Sequence, residues 1–305
     1  MNDLTQARPP LSVVIGATQP WPEIRGCLDS LYAQASAAGV EILVADGTGR
    51  ALPENSPYPE VRRLESLGAT VFQLRALAMA EAQGEIVAVT EDHCRVAPDW
   101  CGQILRAHRE FPDAAVIGGA VENGATARLI DWANFFASND RFLPPLPAGQ
   151  DGTATGQANI SYKRRVIPCE YPALDILEKF YNERLRERGE KIINDGRIIV
   201  AHVQSLGFWG SCLIHYHDAR VVAGFYLPRI STLTRLLRIA KCLAFPLRVL
   251  VATARITLRT ILRKPGYRGR MLMSCPLVAV LFCFHTAGEL AGCIAGPGDS
   301  PSRMR

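Results

Sequence analysis

The sequence predicts an α/β protein: a mostly parallel, Rossmann-like sheet with helices on both faces, followed by C-terminal amphipathic, membrane-associated helices. Three observations predict it. Short apolar runs of strand length alternate with segments of helical spacing through the first half of the chain. Several of those runs stop on polar or acidic residues, where an open α/β sheet binds its ligands. Finally, Arg229 to Arg270 holds eleven Lys or Arg and no acid, with leucines between them at spacings of three and four.

Leu11-Ser12-Val13-Val14-Ile15 reads as the first strand and Gly16-Ala17-Thr18 as the loop after it. A helix is expected from Trp21 to Ala37, with Ile24, Cys27, Leu28 and Leu31 on one face. Glu41 to Ala45 is the second strand, stopping at Asp46-Gly47, and Asn55 to Pro59 is a Pro-rich loop. Val71-Phe72 reads as a short third strand and Ala76 to Gln83 as a small-residue helix. The next strand, Glu85 to Thr90, is apolar enough to be buried on both faces and runs into Glu91-Asp92-His93-Cys94. A helix around Trp100 to Leu105 and a fifth strand at Ala115-Val116-Ile117 follow. This order implies a doubly wound sheet.

Phe142 to Thr155 reads as a lid or binding loop, and Leu174 to Arg188 as a charged amphipathic helix closed by Gly189. Ile198 to His202 is one more strand, and His215 with His217 would share a strand face by period two, in a structural role. After Pro228 a basic amphipathic helix, kinked at Pro246, suits the interface of an anionic leaflet. Met271 to Phe284 is a mostly apolar run, interrupted by His285 and Glu289. It falls short of the roughly 20 residues of a span, so a monotopic or re-entrant hairpin is expected. The chain thus divides into residues 1–228, carrying the chemistry, and a helical tail of residues 229–305.

A hydrophobic share of 48% beside 21% charged residues describes a globular protein. The net charge of +5 belongs to the C-terminal basic segment, and the rest of the chain is net acidic. That segment carries only Phe245 and Tyr267 as aromatics, which argues for an anionic membrane surface and against nucleic acid as its partner. Nine cysteines are scattered singly with no Cys-x-x-Cys pair. That spacing excludes a zinc knuckle and points to a reducing compartment. The N-terminus lacks the basic and apolar regions of a signal peptide, so a cytoplasmic setting is expected. No GxGxxG follows the first strand and no GxxxxGK[ST] occurs, which weakens dehydrogenase and P-loop readings.

Two carboxylates at a strand end are hard oxygen ligands for a divalent cation on a diphosphate, and the imidazole beside them is acceptable to a manganese-like metal. Glu91 and Asp92 also read as residues that simply precede and cap the helix near Trp100. Asp46 is either a ligand at a strand end or a turn Asp before Gly47. His202 is a third metal ligand or a satisfied core histidine. Arg220 and the run Lys163-Arg164-Arg165 either meet phosphates or lie on a solvated face.

Several stretches in order resemble the family-2 glycosyltransferases with the GT-A fold. Val13-Val14-Ile15-Gly16-Ala17-Thr18 is similar to the family's first strand and turn, without the usual Pro and Asn of that turn. Cys27-Leu28-Asp29-Ser30-Leu31 resembles its Leu-x-Ser-Leu helix, and Ala45-Asp46-Gly47-Thr48 its second strand end. Glu91-Asp92-His93-Cys94 with Ala97-Pro98-Asp99-Trp100 resembles its Asp-x-Asp and Pro-Asp-x-Trp segments, with His at the third position. Gly156 to Arg164 resembles the Gly-x-Asn-x-x-x-Arg segment, Glu178 with Leu185 and Gly189 the acceptor-side acidic helix, and Gly288 to Gly292 the membrane-associated tail of some bacterial members.

The resemblance implies an inverting transferase that uses a nucleotide-diphosphate sugar and Mn2+ or Mg2+. It implies metal ligation by Glu91 and His93, with Asp92 between them or sharing the task, and leaves His202 open as a third ligand. Thr18, Asp46, Asp92 and Asn159 would face the donor, and Glu178 would be the base, with Asp175 in reserve. The acceptor would be lipid-linked or a polysaccharide, at the cytoplasmic face of the cell membrane. Rival readings are an inactive sugar-nucleotide binder or membrane scaffold of the same fold. A nucleotidyltransferase would need a Gly-rich, Lys-ending loop that is missing.

Overall fold

The computed structural model describes residues 8–151, 158–167 and 178–304. The chain forms two compact units. Residues 1–124 and 144–203 make a sheet unit, and residues 125–143 and 204–305 a helical one.

The sheet unit holds, in order, β1 (Leu11–Ala17), α1 (Arg25–Ala37), β2 (Glu41–Asp46), β3 (Val61–Glu65), α2 (Val71–Glu81), β4 (Ile86–Glu91), β5 (Cys94–Val96), α3 (Trp100–Glu110) and β6 (Ala114–Asn123). The helical unit's α4 (Leu129–Asn139) comes next in the chain. The sheet unit then resumes with β7 (Gln150–Asp151), β8 (Asn159–Lys163), α5 (Glu178–Glu187) and β9 (Lys191–His202). The sheet order is β3-β2-β1-β4-β8-β6-β9-β5, with β7 beside β9. Strands β3, β2, β1 and β4 run parallel. Strand β8 then enters antiparallel between β4 and β6, so the sheet is mixed. All seven residues of β1 are buried, as expected of a strand covered on both faces. The core gathers Val14, Leu43, Leu74, Met79, Val89 and Ile160.

Some expected elements move. Val71-Phe72 is not a strand but the first turn of α2. Thr70 accepts from the Gln73 backbone N–H while the Gln73 side chain accepts from the Thr70 N–H, a reciprocal cap that starts a helix. The true third strand, Val61–Glu65, is a half-exposed edge of sequence VRRLE, without the apolar run that marks a buried strand. The first helix begins at Arg25 rather than Trp21. The last strand is twelve residues long, beginning at Lys191, and the helix ending at Glu187 is followed by Gly189 at φ +81°.

His108 lies on α3, buried against the sheet. Its Nε2 stands 2.9 Å from Ser161 Oγ, whose own hydroxyl donates to Ile117 O. The ring therefore donates from Nε2 and is neutral. Burial, with Lys163 nearby, pushes its pKa down to about 3. Below the ordinary value near 6.5 the unfolded chain takes up a proton that the fold refuses, so stability falls as pH drops toward 3. We expect a loss of roughly 2–3 kcal/mol between pH 6.5 and 4.5 from this group. Urea unfolding across that range should show a shallower acid slope in His108→Gln.

The helical unit contains α4, α6 (Gly207–Tyr226), α7 (Thr232–Leu243), α8 (Phe245–Arg263), α9 (Arg268–Ala295) and α10 (Ser300–Arg303). His215 and His217, expected on a strand, lie on α6, a run that meets no proline before Pro228. They bond Asn134 (3.1 Å) and Ser300 (3.0 Å) respectively. The single kinked helix after Pro228 is two helices. Pro246 sits in the first turn of α8, where its missing N–H costs nothing. Helix α9 is the centre of the unit, packed against α4, α6, α7 and α8. At Gly288 a Cβ would fall 2.0 Å from the Tyr216 carbonyl, so α6 and α9 meet backbone to backbone. Glu289 pairs with Arg248, and Asp140 with Arg259 at 2.6 Å. Residues Pro265–Ala295 are long and apolar enough to cross a membrane.

Candidate metal and donor site

Strand β4 delivers Glu91 to the end of the sheet, and the chain turns through Asp92 and His93 into β5. Strand β5 pairs antiparallel with β9 so that Cys94 faces His202 across the ladder, and Val203 N donates to His93 O at 3.2 Å. Residues 109 apart in sequence are thereby neighbours. His93 Nε2 and His202 Nε2 are 3.0 Å apart, and Glu91 Oε2 lies 3.3 Å from the first and 3.2 Å from the second. Ligand atoms bound at about 2.1 Å and at right angles to one another stand roughly 3 Å apart. Two imidazole nitrogens and one carboxylate oxygen thus have the spacing and chemistry of ligands to one divalent ion. All three side chains keep some solvent exposure, 12–22%, so an ion can reach them.

Burial alone would raise the Glu91 carboxyl. Hydrogen bonds from His202 and His93, with the charges of His93 and Arg75, overcome it and hold the carboxyl well below its usual range. Burial works against a charged His93, but its bonds to Asp92 and Glu91 win and raise its pKa to about 10. Cys94 Sγ lies within 4.8 Å of the Glu91 and His93 ligand atoms. Burial and the Glu91 charge push its thiol well up, so it is a weak ligand beside the other three.

The surrounding shell orients these groups. Asp92 Oδ1 meets His93 Nδ1 at 2.9 Å, which leaves Nε2 facing His202 and Glu91. Asp92 Oδ2 accepts from the backbone N–H of Thr18 at 3.1 Å, tying the β1 loop to the same turn. Arg75, almost wholly buried on α2, bonds Glu91 Oε1 at 2.8 Å and leaves Oε2 for the imidazoles. Sequence reasoning missed Arg75. Its signal is a lone guanidinium between Leu74 and Ala76 in an otherwise apolar, small-residue helix. Arg75→Gln should weaken Mn binding by about 10- to 100-fold, as loss of a ligand's orienting partner does, measured by titration calorimetry.

Asp46 ends β2 with its carboxylate fully buried. Oδ1 accepts from Thr48 N (2.8 Å), Thr48 Oγ1 (2.9 Å) and Gly49 N (2.9 Å), and Oδ2 from Ala51 N at 3.0 Å and Arg63 at 2.9 Å. The side chain builds the loop 47–51 at the strand end. Asn159, expected to face the donor, is the first residue of β8 and 1% exposed. Its amide donates to Ala120 O and Ile198 O (2.8 and 2.9 Å) and its Oδ1 accepts from Trp100 Nε1 at 2.9 Å, so all its polar atoms are used inside the core. Glu178 opens α5; Asp175, with Gly156 and Gln157 at the start of the Gly-x-Asn-like segment, lies outside the described residues. Lys163, Arg164 and Arg165 bond Pro112 O, Ala82 O and Glu190, and Arg220 bonds Gly296 O, which are structural attachments.

The model of glycosyl transferase family 2 matches residues 12–168, more than half of the chain. The chain belongs to glycosyltransferase family 2. No curated protein matches this family-2 glycosyltransferase in sequence. Among solved structures it is similar to a mannosyltransferase, PcManGT from Pyrobaculum calidifontis in complex with GDP-Man and Mn2+. The identity is 16% and the TM-score 0.52, over 90% of this chain and 86% of that one. S. aureus TarS 1–349 aligns at 11% identity and TM-score 0.45, over 92% and 90%. The expected GT-A architecture is therefore that of this family-2 glycosyltransferase, with β1, β2 and β4 ending at Ala17, Asp46 and Glu91.

Proposed function

We propose that this transferase is inverting and metal-dependent, moving a sugar from a nucleotide-diphosphate donor to a lipid-linked or polysaccharide acceptor at the cytoplasmic membrane face. The convergence of Glu91, His93 and His202 to within 3.3 Å of one another is the observation that carries it. Glu91, His93 and His202 would hold Mn2+ or Mg2+, which would offset charge on the departing diphosphate, and two imidazoles favour Mn. The PcManGT complex holds such a donor and ion.

The chain's own residues do the rest. Asp92 fixes His93 and the Thr18 loop, and Asp46 shapes residues 47–51 to receive the nucleoside. Asn159 is assigned to the donor side through the strands it clamps. Glu178 takes the proton of the acceptor hydroxyl as its oxygen attacks the anomeric carbon. The bond from that carbon to the diphosphate oxygen breaks in the same displacement, which inverts the centre. The chemistry is assigned to residues 1–228 and membrane association to residues 229–305, the latter sharing a compact unit with residues 125–143 and 204–228.

The test is turnover and binding of a panel of nucleotide sugars with Mn, with Mg and with chelator. Metal-dependent transfer from one donor, with an inverted product by NMR, is the expected result. Metal-independent binding without turnover would establish the inactive binder in its place.

A further inference from the structure

We infer that the helical unit as a whole is a bilayer-docking body, with α7 and α8 lying in the interface of an anionic lipid surface. This deepens the membrane part of the reading above and rests on it.

Among the described residues, every exposed large apolar side chain except Leu67 belongs to this unit. On α8 the arrangement is the reverse of a soluble helix. Val249, Thr253, Ile256 and Thr260 are buried, forming the inward face. Leu247, Leu250, Leu258 and Leu262 are 57–73% exposed. At about 100° per residue these leucines fall within an arc of roughly 120° opposite the buried face. Helix α7 adds Leu233, Leu236, Leu237 and Leu243, all more than half exposed. A water-facing surface rarely keeps so many contiguous leucines without an apolar partner.

Charge names the partner. Arg248 and Arg259 are neutralised within the unit by Glu289 and Asp140. The segment from Arg229 to Arg270 supplies no acid for Lys241, Arg255 or Arg263. Leucines flanked by cations with no ion pair among the described residues fit acyl chains beneath anionic headgroups. A second copy of this chain would set these cations against their own kind. Helix α9 does not take the role of a lone span, since α4, α6, α7 and α8 pack on it and Gly288 admits the α6 backbone. The docking body therefore includes residues 125–143 and α6, and truncation near Pro228 would dismantle it rather than trim it.

The test is flotation of the full chain with phosphatidylcholine vesicles, with and without phosphatidylglycerol. Wild type should float with the anionic vesicles and lose them at high salt. Leu250→Glu with Leu262→Glu should lower the partition at least about tenfold. Arg255→Glu with Arg263→Glu should abolish the preference for phosphatidylglycerol, and Leu67→Glu, in the sheet unit, should change nothing. Flotation of the leucine variant equal to wild type would overturn the inference. So would a wild type that ignores vesicles and forms a dimer broken by the leucine substitutions, since a second copy would then cover the face. Donor binding in solution, measured on the same preparations, separates the two readings. Lost flotation with intact donor binding touches the surface alone, and flotation without binding of any donor touches the transferase reading alone.

Discussion

On the proposed metal-dependent mechanism, alanine at His93 or at His202 should lower sugar transfer by about 10²- to 10³-fold, the cost of removing several kcal/mol of charge stabilisation from a leaving diphosphate. Each imidazole supplies one nitrogen to a three-donor cluster whose members are 3.0–3.3 Å apart. Either loss leaves two donors and solvent. The double variant should fall little below the worse single one, because the three side chains act as a unit. Cys94→Ser is the control, since its buried protonated thiol contributes little to a divalent site, and it should keep transfer within a few-fold. Mn titration followed by calorimetry, together with kcat on the preferred donor, decides the matter. Metal-dependent kcat within threefold of wild type in either alanine variant would remove that histidine from the site.

The largest effect on stability is expected at Trp100. Its side chain is fully buried at the start of α3, and its indole N–H donates to Asn159, which in turn clamps Ala120 O on β6 and Ile198 O on β9. Gly119 is part of the same knot, because a Cβ there would fall 2.1 Å from the Asn159 amide nitrogen. Trp100→Ala opens a large cavity and should cost about 3–5 kcal/mol. Trp100→Phe keeps most of the volume but leaves the Asn159 oxygen unpaired, at about 1–3 kcal/mol. The ordering Ala, then Phe, then wild type in urea midpoints is the expected result. A Trp100→Ala loss under 1 kcal/mol would mean that the clamp does not hold β6, β8 and β9 together.

The elements of the first half were legible because buried strands write themselves as apolar runs and their ends as polar stops, as at Val13 to Thr18 and Val87 to Glu91. Edge strand β3 was not, because an exposed strand has no reason to be apolar. Helix α2 was misread at its start because Val and Phe favour strands, and only the reciprocal cap between Thr70 and Gln73 overrides that preference. The histidines of α6 were misread because alternation at two positions is too short a sample to separate a period of 2 from one of 3.6.

The sequence by itself determined which residue types stand at the strand ends: a carboxylate closing β2, a carboxylate closing β4 with another and an imidazole next to it, and a histidine closing β9. It also determined the basic, leucine-rich character of residues 229–270, since composition and period are local properties. Which of those groups meet was decided by the tertiary structure. The β6–β9 ladder passes from Gly119↔Asp195 to Ala120↔Ile199, so three residues bulge out before the strand resumes. An odd insertion exchanges the faces of a strand with a side-chain period of two, and with it the side on which His202 emerges. Arg75 reaches Glu91 because α2 packs on β1, and α8 shows leucines outward because α9 already fills its inner face. Register and packing join residues far apart in the chain, and no local pattern records them.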